Sequence, residues 1–138
     1  MQKIIIDTNV LVSALIQRNY PYFIIYNYVF ENLVEVCISN ELFGEYLEVL
    51  YRPKFSKYLD FISKAEVVLA QIEAKSSKFQ PTLQLDIIQD NADNRLLELA
   101  LTSKADFIIT GNTNDFKMSH FQGTKIVSPK EYWDIYKE

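Results

Sequence analysis

A chain of 138 residues, 49% hydrophobic and 23% charged, is long enough to bury a full core in one domain and too apolar to be disordered. Its net charge of −4 and pI near 5.0 exclude a binder that relies on a broadly basic surface. They do not exclude an enzyme that holds phosphate through a cation gathered by carboxylates. The single cysteine, Cys37, rules out an internal disulfide and a multi-cysteine zinc site, and reads as a small buried hydrophobe. No apolar run reaches membrane-spanning length, and the N-terminus runs straight into a strand pattern rather than a signal peptide. A cytoplasmic protein is expected.

In chain order, Lys3-Ile4-Ile5-Ile6 is a continuous apolar run ending at Asp7, the pattern of a strand buried on both faces. A helix is expected from Val10 to Gln17, and another from Tyr22 to Asn32, opened by Pro21 in its first turn. Leu33 to Ser39 reads as the second strand. Ser39 or Asn40 caps a helix to Leu50, stopped by Arg52-Pro53. Phe61 or Ile62 to Ser76 is a further helix, with Ser63 and Glu66 at capping-box spacing. Phe79 to Leu85 reads as a short strand interrupted by Pro81. Asp90 to Lys104 is a Leu- and Ala-rich helix. Phe107 to Thr110 is a buried strand closed by Gly111, and Lys125 to Val127 the last strand, before a helix opened by Pro129. Strands alternating with helices predict a three-layer α/β sandwich, with a mostly parallel central sheet of about five strands and helices on both faces.

Ligands of such sheets bind outside the carboxyl ends of the strands. Asp7 ends the first strand, and Thr110-Gly111-Asn112 ends the strand at Phe107. These two are the most apolar strands and are expected at the sheet centre. Taken alone, Asp7 suits a helix cap as well as a cation ligand. In the Glu41–Leu50 helix, Glu41, Glu45 and Glu48 lie opposite an apolar arc of Leu42, Phe43, Tyr46, Leu47, Val49 and Leu50. Glu45 is nearest the arc's edge; Glu41 and Glu48 read as solvated charges. Asp90 and Asp93 have the spacing of a cap and its third helical residue, which accounts for Asp90. Asp93 also shares a face with Leu96, Leu97 and Ala100, so it is an acid in the first turn of a core-facing stripe. Asp7, Glu45 and Asp93 can therefore converge at one sheet edge, with Asn112 and Asp115 above them. Like charges this close repel unless a cation lies between them, and an all-oxygen donor set selects Mg²⁺ or Mn²⁺ over zinc or copper.

These segments resemble the PIN-domain family. Ile4-Ile5-Ile6-Asp7-Thr8-Asn9-Val10-Leu11 looks like its opening motif. Ile38-Ser39-Asn40-Glu41-Leu42 with Glu45-Tyr46-Leu47 is similar to the second segment and places the family's glutamate on Glu45. Asp90-Asn91-Ala92-Asp93-Asn94-Arg95-Leu96-Leu97-Glu98-Leu99-Ala100 looks like the third, placing the helical acid on Asp93. Ala105-Asp106-Phe107-Ile108-Ile109-Thr110-Gly111-Asn112 resembles the fourth, but carries Asn112 where many members have aspartate; Asp115 could supply that acid. The resemblance implies a PIN-like domain over residues 1–138 and a metal-dependent endoribonuclease for single-stranded RNA. It also implies the toxin of a type II toxin–antitoxin pair, usually a homodimer neutralised by a cognate antitoxin protein. Asp7, Glu45 and Asp93 would be the catalytic metal ligands, with Asn112 or Asp115 as a fourth. Thr8, Asn9, Thr110 and Asp90 would orient ligands or water around them.

His120 is the only histidine, which excludes a metal-free nuclease working through a histidine pair; it reads as a surface loop residue. Arg18, Arg52, Lys54, Lys57 and Arg95 are candidates for RNA phosphate contacts or plain surface charges. The aromatic run Tyr20-Pro21-Tyr22-Phe23-Ile24-Ile25-Tyr26-Asn27-Tyr28-Val29-Phe30 divides between core packing and a dimer or antitoxin face. Two other functions stay open. An aspartyl-nucleophile phosphatase would want a second acid where Asn9 stands. A non-catalytic binding module, receiver-like or a degenerate PIN fold, is compatible with Asn112.

Overall fold

The computed structural model of the chain describes residues 1–138. The run Lys3–Ile6 forms β1, and its Ile4, Ile5 and Ile6 are all fully buried. Successive strand residues point to opposite faces, so an unbroken buried run requires cover on both sides. The helices supply it, and the architecture is the expected three-layer α/β sandwich. The remaining strands are β2 (Glu35–Ile38), β3 (Ser77–Lys78), β4 (Phe107–Ile109), β5 (His120–Phe121) and β6 (Thr124–Val127). They form one sheet in the order β3-β2-β1-β4-β6-β5, parallel throughout except for β5, which returns antiparallel on β6. The expectation that β1 and the Phe107 strand are central holds. Ile4, Ile5 and Ile6 lie opposite Phe107, Ile108 and Ile109.

The helices are α1 (Thr8–Ile16), α2 (Tyr20–Ile24), α3 (Asn40–Leu50), α4 (Phe61–Lys75), α5 (Asn91–Ser103) and α6 (Pro129–Glu131). α2 runs on into a π-helical turn, Ile25–Val29, and α6 into another, Tyr132–Tyr136. The two turns meet through aromatic rings: Tyr28 lies 5.2 Å from Trp133 and Phe23 5.6 Å from it. The C-terminal segment thus covers part of the aromatic run, and core packing accounts for Phe23 and Tyr28. Cys37 is fully buried in β2 beneath this core, and burial lifts its thiol to about 11, as befits a packing residue.

Several boundaries differ from expectation. α1 starts two residues early, at Thr8, because Asp7 caps it directly. β2 is shorter than Leu33–Ser39, since Ser39 leaves the strand to cap α3, accepting from the Leu42 N–H at 3.1 Å. Ser63 caps nothing: α4 begins after Asp60, which sits in the left-handed region and makes no side-chain cap. Phe79–Leu85 is not a strand. Pairing with β2 covers Ser77 and Lys78, extends to one further bond from Phe79 N–H to Ile38 O at 2.8 Å, and ends before Pro81, whose missing N–H cannot join a ladder. β5 was not anticipated, being only two residues long, and it makes the count six rather than five. It holds His120 on an exposed edge strand rather than in a loop.

Candidate functional site

Register decides the first contact. With Ile6 opposite Ile109, the next residues on the two central strands are Asp7 and Thr110. The ladder continues through them, Asp7 N–H donating to Ile109 O at 2.9 Å and Thr110 N–H to Val127 O at 3.0 Å. Thr110, fully buried, donates its hydroxyl to Asp7 Oδ2 at 2.8 Å, while the Thr8 N–H donates to Oδ1 at 2.8 Å. The cap reading of Asp7 thus holds, and the Thr110 bond adds a partner that capping does not require. Each oxygen accepts one protein hydrogen bond and keeps a lone pair for another partner. Burial raises the Asp7 carboxyl above its ordinary value; the Thr110 and Thr8 donors lower it, and the charges of Glu45 and Asp90 raise it.

Glu45 is half-buried on α3, at the edge of the apolar face as expected. The Thr8 hydroxyl donates to its Oε2, which ties α3 to the start of α1. Its helical neighbour Tyr46, fully buried, donates its hydroxyl to Ile6 O at the end of β1. Burial, then the charges of Asp7 and Glu45, push that phenol well above its usual range, so it remains a donor. Glu41 and Glu48 are exposed, and Glu48 pairs with Arg52 at 2.8 Å. Leu47, expected within the apolar arc, is exposed instead.

Asp90 caps α5, accepting from Ala92 N–H at 2.8 Å and Asp93 N–H at 3.4 Å. Asp93 is half-buried in the first turn, at the margin of a stripe whose Leu96, Leu97 and Ala100 are buried. Its carboxyl is pushed up to about 6, by burial first and then by Asp90, Asp7, Asp115 and Glu45. Every charge acting on Asp93 is negative. Four acids from four segments thus raise Asp93, although no three acidic, histidine or cysteine side chains close around a single point. Exposed Asn112 contributes its backbone N–H to Thr110 Oγ1 at 3.1 Å, and its side chain forms no hydrogen bond. Asn9 Oδ1 accepts from Gly111 N–H at 3.4 Å, holding the two strand-end loops together.

Two residues, Asn94 and Glu98, escaped the sequence reading, and Arg95 takes a different part from the one expected of it. Fully buried Asn94 accepts from the Ile87 and Ile88 N–H groups at 3.0 and 3.1 Å and donates to Ile88 O at 2.7 Å. Buried Glu98 accepts from Leu85 N–H at 2.7 Å and pairs with Arg95 at 2.6 Å; Arg95 also donates to Leu85 O at 3.0 Å. Together they fasten the irregular segment that leads to Asp90. The available signal was Asn94 and Glu98 at i and i+4 on a helix of leucines, polar residues one turn apart facing the core. Arg95, a candidate phosphate contact, is committed to this clamp, whereas Arg18, Lys54 and Lys57 make no ion pair.

A family model for the PIN domain matches residues 3–114, a span that includes Asp7, Glu45, Asp93 and Asn112 and stops one residue short of Asp115. An uncharacterized protein of Methanocaldococcus jannaschii is 28% identical over 144 aligned residues, covering 99% of this chain and 92% of its own length. No solved structure matches.

Proposed function

The chain belongs to the PIN-domain family, whose members are generally nucleases, and from that premise we propose that it is a Mg²⁺- or Mn²⁺-dependent endoribonuclease acting on single-stranded RNA. The observation that carries the reading is the gathering of Asp7, Glu45, Asp90, Asp93 and Asp115 with no cationic side chain acting on Asp93. A half-buried acid surrounded only by acids is costly unless something positive joins it. The donor set fits a hard cation, since every candidate ligand is an oxygen and the Asp7 oxygens each retain a lone pair.

Asp7, Glu45 and Asp93 would hold the ion, with Asn112 or Asp115 at a fourth position. When bound, a divalent cation supplies a lowered water pKa and charge neutralisation on the scissile phosphate. The protein's own residues do the positioning. The Thr110 and Thr8 donors favour the ionised form of Asp7 and fix its rotamer. The Thr8 hydroxyl orients Glu45 toward β1. The α5 clamp of Asn94, Glu98 and Arg95 holds Asp93 at its height above the sheet. In the net reaction, water oxygen bonds to phosphorus, the bond to the ribose oxygen breaks, and that oxygen takes up a proton.

In its biology we place the protein as one PIN-like domain working in the cytoplasm, as the homodimeric toxin of a type II pair restrained by a cognate antitoxin. No helix is long and apolar enough to cross a membrane. The decisive experiment compares wild type with Asp7→Asn on single-stranded RNA, with and without Mn²⁺. Metal-stimulated cleavage by wild type and its loss in a folded variant is expected; undiminished cleavage by the variant would sink the reading. A phosphomonoester run alongside separates nuclease from phosphatase turnover. Growth arrest on expression, relieved by a short open reading frame beside the gene, tests the toxin role.

A further inference from the structure

The half of the aromatic run not covered by the C-terminal segment forms a row of its own. Tyr22, Tyr26 and Phe30 recur every four residues along α2 and its π-helical turn, each half-buried. Tyr22 and Tyr26 stack at 4.5 Å with their planes 30° apart, and Phe30 follows at 4.8 Å from Tyr26. The Arg18 guanidinium lies 5.4 Å over the Tyr22 ring. Beside the stacked pair is a cavity of about 300 Å³, floored by the end of α1 and flanked by Arg18 and by Lys64 of α4. No acid lines it, and neither cation is in an ion pair. Arg18 and Lys64 thus set two cations beside the two tyrosines.

We propose that this cavity is a second RNA-binding site, which takes a nucleotide of the single strand flanking the bond to be cut, the base packed against the cavity-facing sides of Tyr22 and Tyr26 and the phosphates on Arg18 and Lys64. Stacked rings beside a cationic rim are how proteins hold single strands without reading sequence. α1 links the two places: it begins at Thr8 beside the acids and ends at Ile16 in the cavity wall. At about 1.5 Å per residue, its length separates them by roughly 13 Å, within reach of a few extended nucleotides. The inference rests on the nuclease reading and deepens it.

The test uses the full chain with Asp7→Asn, so that binding is read without cleavage, and labelled single-stranded RNA of about 15 nucleotides, within the span of such sites. Tyr22→Leu is expected to weaken binding about tenfold, the loss of one stacked base. Arg18→Ala and Lys64→Ala, both exposed and safe for folding, are expected each to reduce the slope of log K against log salt by about 0.7. In the otherwise wild-type enzyme, Lys64→Ala should raise KM on the long RNA by a larger factor than KM on a tetranucleotide. Affinity and salt slope unaltered in both cation variants would overturn the proposal, and a loss of dimer in sedimentation alongside would assign the face to protein contact instead. RNA binding with these dependences but no cleavage by wild type would uphold this site while removing the nuclease reading. Cleavage with no effect of the variants would do the reverse.

Discussion

Thr110 and Asp7, 103 residues apart in the chain, are joined by a 2.8 Å hydrogen bond because the β1–β4 register sets them side by side at the end of the sheet. The bond favours the ionised carboxylate against burial, which pulls the other way.

Thr110→Val removes that donor and raises the Asp7 pKa further. A smaller fraction of Asp7 is then ionised at mildly acidic pH. Cleavage should fall more at about pH 6 than at about pH 8, so the acidic limb of the pH–rate profile moves to higher pH. A merely structural defect would lower both ends alike.

Asp93 governs a stability effect of opposite sense to the usual carboxylate. Its folded pKa, about 6, is above the ordinary 3.8, so between these values the native state holds more protons than the unfolded state. This contribution is fully present below about pH 4 and is lost as pH rises through 6. Metal-free protein should therefore lose stability over that window, and Mg²⁺ or Mn²⁺ should restore it at neutral pH. Asp93→Asn should raise the metal-free Tm by about 2–5 °C while reducing RNA cleavage about 100-fold or more. Calorimetry across pH, with and without metal, checks both halves; a variant less stable than wild type at neutral pH would refute the repulsion argument.

Asp115 rather than Asn112 should provide the fourth acidic influence, because the charge of Asp115 acts on Asp93. Asp115→Asn is expected to weaken the apparent Mn²⁺ affinity about tenfold, and Asn112→Ala to change it little. Metal titration followed by thermal shift distinguishes the two. An equal or larger effect at Asn112 would move the fourth position there.

Asn94→Ala leaves two backbone N–H groups and one carbonyl of the Ile87–Ile88 segment without partners. It should cost about 2–4 kcal/mol in urea unfolding. Limited proteolysis should then cut first between Phe79 and Asp90. Unaltered protease resistance would show that Glu98 and Arg95 hold the segment alone.

The strand ends and helix starts were legible because local rules suffice for them. Three consecutive isoleucines before Asp7, Ser39 before a helix and Asp90 two residues before Ala92 each declare themselves within a few residues. The parallel topology was legible from the alternation of strands and helices, and it raised the expectation that Asp7, Glu45 and Asp93 lie toward one edge. What a few residues cannot express is register and partnership between distant segments. Thr110 meets Asp7, Tyr46 reaches Ile6 and Asn94 holds Ile87 only because strands and helices pack in one arrangement, and the shape of Phe79–Leu85 follows from clamps on α5 rather than from its own pattern. Asp7 shows the division: its sequence position suited a cap as well as a cation ligand, whereas the fold makes it the cap of α1 and, at the same place, brings Thr110 from the neighbouring central strand to its side, because the helix starts where those strands end.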